Sequence, residues 1–408
     1  MRLATRCSPL LFALACALPL PVFADASPAQ RAMAAAEASL ARQPGAEGLA
    51  ALALAHARRA RETADTDHYL GAMALLDQAE NLAPGNALVA RNRIWVLLGQ
   101  HEFARAQEAA SALHRRHPDD LMVLAMLTDA RIELGRYAEA ENSAQWLLDM
   151  RPGNIPGLTR AAYLREIFGD PEGALELMAE ALRRTRDGET EDRAWLMTQM
   201  SHLSLSLGRL PAAARLADEA LAAFPGYHYA LAQKARVLAA RGDAFGAATL
   251  LETHVAAAPH PENYYYLGEA LARAGRTAAA RAAYAEFEAR AVAESLGWDN
   301  ANRELVYYYA DVAGKPAEAL AVAEREIARR RDVATLQAWA WALHRNGRQN
   351  EAWAAMEEAL AVGSREPELL RRAGLIARAA GKVEPAGRLL GEARRLAPWL
   401  GEDDTPGV

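Results

Sequence analysis

Residues Leu121 to Asn154 read LMVLAMLTDARIELGRYAEAENSAQWLLDMRPGN. The segment holds two short amphipathic helices joined by a Gly-Arg turn and closed by a proline. Leu124, Leu127 and Ile132 mark the apolar side of the first helix. Ala140, Ala144, Leu147 and Leu148 form an i, i+4, i+7, i+8 stripe on the second, the spacing that puts side chains on one helical face. Gly135 stands where a helix end calls for a positive φ, which glycine adopts without a Cβ clash. Pro152 ends the second helix, because its ring and missing N–H stop propagation. Neither helix can bury its stripe alone, so the unit requires a copy of itself on each side.

The copies are present. From Gly135, glycines recur at Gly169, Gly208, Gly242, Gly275, Gly314, Gly347 and Gly381, at intervals of 34, 39, 34, 33, 39, 33 and 34. Five residues after each comes an alanine, from Ala140 to Ala386, and Ala106 and Ala72 carry that ladder back toward the N-terminus. Pro84, Pro118, Pro152, Pro225, Pro259 and Pro398 punctuate the same register. In an alanine-rich chain an alanine ladder is a weak signal, but three residue types in one register are a strong one.

A period of 34 with this pattern resembles the tetratricopeptide repeat family. The matching residues include Leu267-Gly268 followed by Gly275, Ala280, Tyr284 and Phe287, and Leu134-Gly135-Arg136-Tyr137 followed by Ala140. Ten units follow in register: 53–86, 87–120, 121–154, 155–188, 194–227, 228–260, 261–294, 300–332, 333–366 and 367–400. The resemblance implies an all-α, right-handed superhelical α-solenoid with the first helix of each pair lining a concave groove. A helix over 28–43 reads as half a repeat within an N-terminal capping segment, 25–52, and Ala46 to Ala64 as the first helix of the first full unit.

Two breaks of five residues interrupt the period. The first, within RDGETEDR at 186–193, is charged and reads as an elongated turn. The second, SLGWD at 295–299, reads as an extension of the preceding helix, with Trp298 packing over the joint. After Pro398-Trp399-Leu400 no polar capping helix follows, and 401–408 reads as a disordered tail. Solenoids need polar end caps, so Leu389, Leu390 and Leu396 are expected at an open end that could take a partner or a second copy.

Residues 1–24 resemble a secretory signal peptide, with Arg2 and Arg6 before an apolar run and Val22-Phe23-Ala24 as the cleavage site. A lipobox ending at Cys16 is the weaker alternative. Both cysteines, Cys7 and Cys16, lie in this leader, so the mature chain would hold no disulfide. The expected location is periplasmic or secreted. The formal charge of −6 falls to about −8 once Arg2 and Arg6 leave, which argues against general nucleic-acid binding, since that needs a basic surface. No other stretch is long and apolar enough to span a bilayer.

Catalytic motifs are absent from the sequence. Gly381-Lys382 is followed by Val383 rather than Ser or Thr, and neither a Gly-x-Ser-x-Gly elbow nor a His-Glu-x-x-His pair occurs. His114 and His117 have ligand-like spacing, but at a helix end among arginines they suit the helix dipole better than a metal. No cofactor or metal is expected. The family resemblance places the inner surface near the second, fifth, ninth and twelfth residues of each first helix. Carried over by register, those positions include Arg91, Trp95, Arg160, Tyr163, His202, Arg236, Tyr265, Tyr308 and Trp341. Arginine and aromatic side chains concentrate binding energy because they join area to directional bonding. Tyr264, Tyr307, Trp195 and Trp339 are expected to be packing residues. The function expected from the sequence is a non-enzymatic protein–protein scaffold of the cell envelope. The alternatives are a module for cell-wall or polysaccharide fragments, stacking sugars on Trp95, Trp341 and Tyr308, and a regulatory subunit of an envelope enzyme complex.

Overall fold

The structure, a computed structural model, describes residues 26–401. The leader expected at 1–24 and residues 402–408 of the expected tail lie outside the described residues. Within them the chain is an α-solenoid of twenty-one helices, from α1 (Pro28–Arg42) to α21 (Val383–Leu396), with no strand. In the unit quoted above, α6 spans Leu121–Glu133 and α7 spans Tyr137–Met150. The Asp120 carboxylate starts α6 by accepting the N–H groups of Met122 and Val123 at 3.0 and 3.2 Å, two donors that a helix start otherwise leaves unpaired. Gly135 follows α6 with φ +75°.

Every alanine of the ladder, from Ala72 to Ala386, is buried. Each sits where the second helix of a pair crosses its neighbours, and a methyl group lets the helix axes approach closely. N-terminally, Glu62 at the end of α2 (Ala46–Thr63) accepts the Ala29 N–H at 2.9 Å and the Ser27 hydroxyl, which fastens α1 to the first full pair.

The first five-residue break is not an elongated turn. α10 (Thr190–Ser206) absorbs most of it, because Glu191 and Asp192 suit the positive end of the helix dipole. At the second break, α15 (Thr277–Glu294) runs for 18 residues, and the Arg329 guanidinium lies 4.2 Å from the Trp298 ring centroid. The following first helix, α16 (Asn302–Tyr307), passes into a π-helical turn at Tyr308–Val312. The wider turn brings the adjacent Tyr308 and Tyr309 both into the core.

The solenoid winds tightly enough for successive superhelical turns to touch. The contact has five rungs, each at the left-handed residue that ends a first helix. His260 bonds the carbonyl of Ala64, 196 residues away. His101 Nδ1 lies 3.0 Å from the Asp299 carboxylate. A Cβ on Gly135 would fall 2.5 Å from the Arg331 carbonyl oxygen, one on Gly169 closer still to that of Gly363, and one on Gly208 2.8 Å from that of Leu396. Ala64 (φ 58°) and His101 (φ 57°) are the non-glycine residues with positive φ among the described residues, and they occupy the first two rungs. Around the rungs, the Tyr137 hydroxyl accepts the Val333 N–H at 2.9 Å. Arg61 pairs with Glu191 at 3.1 Å and Asp192 at 3.5 Å. Both five-residue breaks therefore supply acids to this seam: Glu191 and Asp192 from the first, Asp299 from the second.

The seam and the last helix pair cover the C-terminal leucines. Leu389 is buried, Leu390 and Leu396 are half-buried, and Leu390 lies directly on Gly374 of α20 (Pro367–Ala379). Of the leucines expected at an open end, Leu389 is therefore in the core, and Leu390 and Leu396 keep only part of their surface open.

The His101–Asp299 rung gives the seam a pH dependence. Burial opposes the charge on His101, but the hydrogen bond to and charge of Asp299 outweigh it and raise the imidazole above 6.5. Burial likewise opposes the charge on Asp299, and His101 lowers that carboxyl below 3.8. A raised histidine stabilises fully below its ordinary value and less as pH climbs through the folded value; a lowered aspartate stabilises fully above its ordinary value and less as pH falls through the folded one. The rung is therefore strongest between 3.8 and 6.5. The pair is half-exposed, so the effect is small. The expected result is a melting temperature that drops slightly from pH 6 to pH 8.5, and a shallower drop in His101→Gln. Equal slopes in the two proteins would remove the rung from the stability of the seam.

Candidate binding chamber

Because the next superhelical turn lies against the first, the concave face does not run as an open groove in the middle of the molecule. It forms a partly open chamber of about 520 Å³, within the range of sites that hold small ligands or short segments. Two kinds of wall meet there. The mid-faces of α8 (Ile155–Ile167), α10 and α12 (His228–Ala240) supply Tyr163, His202 and Arg236, each the ninth residue of its unit. Opposite them lie the starts of later first helices: Arg303 from α16, Asp332 to Ala334 with Gln337 from the start of α18 (Val333–Arg345), and Glu366 ahead of α20. The later turn is displaced along the superhelix axis, so it presents helix starts rather than mid-faces.

The nine groove residues expected from the sequence divide by environment. Tyr163, His202 and Arg236 line the chamber. Arg160 instead pairs with Asp129, Nε to Oδ1 at 2.9 Å, and Arg91 pairs with Asp120 at 3.2 Å. Trp95 is half-buried between two apolar clusters. Tyr265, Tyr308 and Trp341 do not face a groove at all; they are core residues. In α14 (Pro261–Arg273), Tyr265 packs 5.4 Å from Phe287, and its hydroxyl donates to Glu269 at 3.2 Å. Tyr308 packs 5.4 Å from the same Phe287, drawn in by the π turn. Trp341 is 1% exposed and donates its indole N–H to the Asp311 carboxylate at 2.9 Å. Tyr284 and Phe287 on α15 pack against Tyr265 and Tyr308 in one buried cluster.

Tyr264 and Tyr307 are half-buried rather than core, and each lies under a guanidinium: Arg290 at 5.0 Å and Arg372 at 3.7 Å. Trp195 and Trp339 are partly buried against the apolar clusters. Sequence reasoning did not single out Tyr229, Arg303 or Gln337. Tyr229 and Gln337 stand at the second and fifth positions of their units, where a stricter use of the register finds them. Arg303 sits at a fourth position and carries no periodic signal.

Four carboxylates and three arginines line the chamber, and most are already paired. Glu166 meets His202 Nε2 at 2.7 Å. Burial opposes a charge on that imidazole, but Glu166 prevails and holds it above its ordinary value. Glu133 lies 3.7 Å and Asp332 3.5 Å from Arg330, and Asp332 also caps α18 through the Ala334 and Thr335 N–H groups. Burial, followed by the charge of Asp332, raises the Glu133 carboxyl. Glu366 accepts the Leu369 N–H at 2.6 Å. Arg365 turns to Glu392 at 2.7 Å. The charge of Glu133, followed by burial, raises the Tyr163 phenol well above its ordinary range, so that hydroxyl remains a donor at neutral pH. Among the described residues, no group of three or more His, Cys, Asp or Glu side chains is placed to hold a metal ion, and no helix is long and apolar enough to cross a membrane.

No protein-family model and no curated protein matches this chain. Solved structures do. The human IFIT1 dimer with PPP-AAAA is 15% identical, with 89% of each chain covered and a TM-score of 0.50. A monomeric mutant of IFIT1 is 14% identical over 81% of this chain and 80% of its own, again at 0.50. PilW, a type IV pilus biogenesis factor, is 14% identical over 51% of this chain and 94% of its own, at 0.41. These neighbours are helical repeat proteins of the tetratricopeptide type, and at such identities the likeness to IFIT1 is one of fold.

Proposed function

We propose that this chain is a non-enzymatic binding scaffold of the cell envelope that takes a short polar segment of a partner protein into its chamber. The observation that carries this reading is the chamber itself: side chains from two superhelical turns converge on one cavity and leave polar groups without protein partners. A helical solenoid supports such recognition by holding many side chains on rigid elements around one concave surface. The resemblance of residues 1–24 to a secretory leader supports export to the periplasm or beyond the cell. The chamber favours a short segment over a long extended one, because its volume of about 520 Å³ suits only a few residues.

IFIT1 carries PPP-AAAA in its structure, but the same ligand class is a poor fit here. Glu133, Glu166, Asp332 and Glu366 line the chamber, and the whole chain is acidic, so a polyanion would meet repulsion. The sugar-stacking alternative has lost two of its three aromatic faces, since Trp341 and Tyr308 are buried.

The test is a photo-crosslinking residue placed in the native host at Tyr163, at Tyr229 and, as a control on the outer surface, at Phe245, which is 67% exposed. A partner captured from the first two positions and not from the third is the expected result. Capture from Phe245 alone would move recognition to the convex face. No capture at Tyr163 or Tyr229 would refute the chamber as a protein-binding site.

A further inference from the structure

Once the pairs in the chamber are assigned, two cations are left over. Neither Arg236 nor Arg303 makes an ion pair or hydrogen bond among the described residues, although both line the cavity. Arg236 lies over Tyr266, 5.4 Å from the ring centroid. Arg303 acts on the same tyrosine from its own turn. The carboxylates that act most strongly on Arg303 are Glu304 and Asp332. Both stay beyond ion-pair distance and are engaged elsewhere: Glu304 accepts the Tyr266 hydroxyl at 3.0 Å, and Asp332 caps α18. Gln337, Tyr163 and Tyr229 face the same space, and their polar ends have no hydrogen-bond partner among the described residues. Arg303 is half-buried and Arg236 is exposed on the cavity wall, so two unpaired guanidinium groups keep their N–H donors free toward the same space.

We propose that Arg236 and Arg303 form an oxyanion site inside the chamber, taking a single carboxylate or phosphate group of the bound ligand. The proposal rests on the reading of the chamber as the binding site. Guanidinium groups suit such anions because their N–H fork matches two oxygens at once. The paired carboxylates around the site limit the ligand to one compact anionic group, with the tyrosine hydroxyls and the Gln337 amide left for its neutral part. That group belongs either to a small free molecule or to an acidic side chain on a partner segment.

The test compares the native chain with Arg236→Gln and Arg303→Gln. Melting temperatures are measured in sodium chloride and in sodium phosphate of equal ionic strength. Calorimetry then uses two pentapeptides blocked at both ends and identical but for a central glutamate or glutamine. In chloride, both variants are expected to melt close to the native temperature, since neither guanidinium holds an ion pair or hydrogen bond in the fold. Phosphate is expected to raise the native melting temperature more than that of either variant, whose response reports only the general salt effect. The glutamate peptide is expected to bind the native chain roughly tenfold more tightly than its glutamine twin, a difference lost in the variants. A response to phosphate alone assigns the anion to a free molecule, and one to the peptide alone assigns it to a partner side chain. Native and variant chains that respond alike to both probes would overturn the site, as would variants that melt well below the native chain in chloride. Crosslinks from Tyr163 and Tyr229 that persist in both variants would leave the chamber as a protein site and remove the oxyanion role alone.

Discussion

Gly169→Ala is expected to part the superhelical turns, and Gly135→Ala to do the same at the neighbouring rung. Both glycines have a left-handed backbone, φ +82° and +75°, where an alanine costs about 1–2 kcal/mol. Gly242 (φ +83°) and Gly275 (φ +73°) share that conformation, so Gly242→Ala and Gly275→Ala carry the same backbone cost. The difference lies beyond the backbone. A Cβ at Gly242 or Gly275 meets nothing within 4 Å, whereas one at Gly135 or Gly169 collides with main-chain atoms of Arg331 or Gly363. Main chain held between two helices cannot rotate away as a side chain can, so the turns must separate. X-ray scattering should show a larger radius of gyration for Gly135→Ala and Gly169→Ala, and the native value for the two controls. Four variants with one radius would mean that the seam yields without opening.

Trp341→Ala is expected to be the most destabilising single change in the C-terminal half. Truncating a buried tryptophan costs about 3–5 kcal/mol through lost burial and the cavity left behind. Here the indole also donates to Asp311 and lies 5.6 Å from the Arg372 guanidinium. Burial already raises the Asp311 carboxyl, so removal of its donor leaves a charge that water cannot readily reach. Trp341→Phe separates the two contributions: it keeps most of the volume, loses the N–H, and should cost about 1–3 kcal/mol. Denaturant unfolding gives the magnitudes. Hydrogen exchange gives the location, because a repeat array loses stability mainly in the affected unit and its neighbours. Protection should fall from α16 to α20 and reach α6 to α8 only through the seam. A uniform loss along the whole chain would show that the seam makes the solenoid one cooperative unit.

The register that reveals the repeat also points to the inner face, but not with equal success along the chain. Position nine gives Tyr163, His202 and Arg236 in the chamber, yet the same position gives Tyr308 and Trp341 in the core. Helical periodicity reports which side of a helix a residue occupies. It does not report whether an aromatic on the adjacent helix, such as Phe287 beside Tyr308, covers that side. The π turn adds a local shift of phase that no hydropathy pattern in Tyr307-Tyr308-Tyr309 announces. The seam left one trace in the sequence. His101 stands where the register calls for the turn glycine, and a histidine tolerated in that strained position marks a contact made elsewhere.

The sequence by itself determined the helices, their pairing and the repeat, because caps, turn glycines and i, i+4 stripes act within a few residues and each pair packs on its neighbours. Tertiary structure alone decided that the superhelix closes on itself. Small rotations between successive pairs add up over a whole turn, and their sum, rather than any single unit, brings Ala64 to His260, Gly135 to Arg331 and Arg236 into one cavity with Arg303.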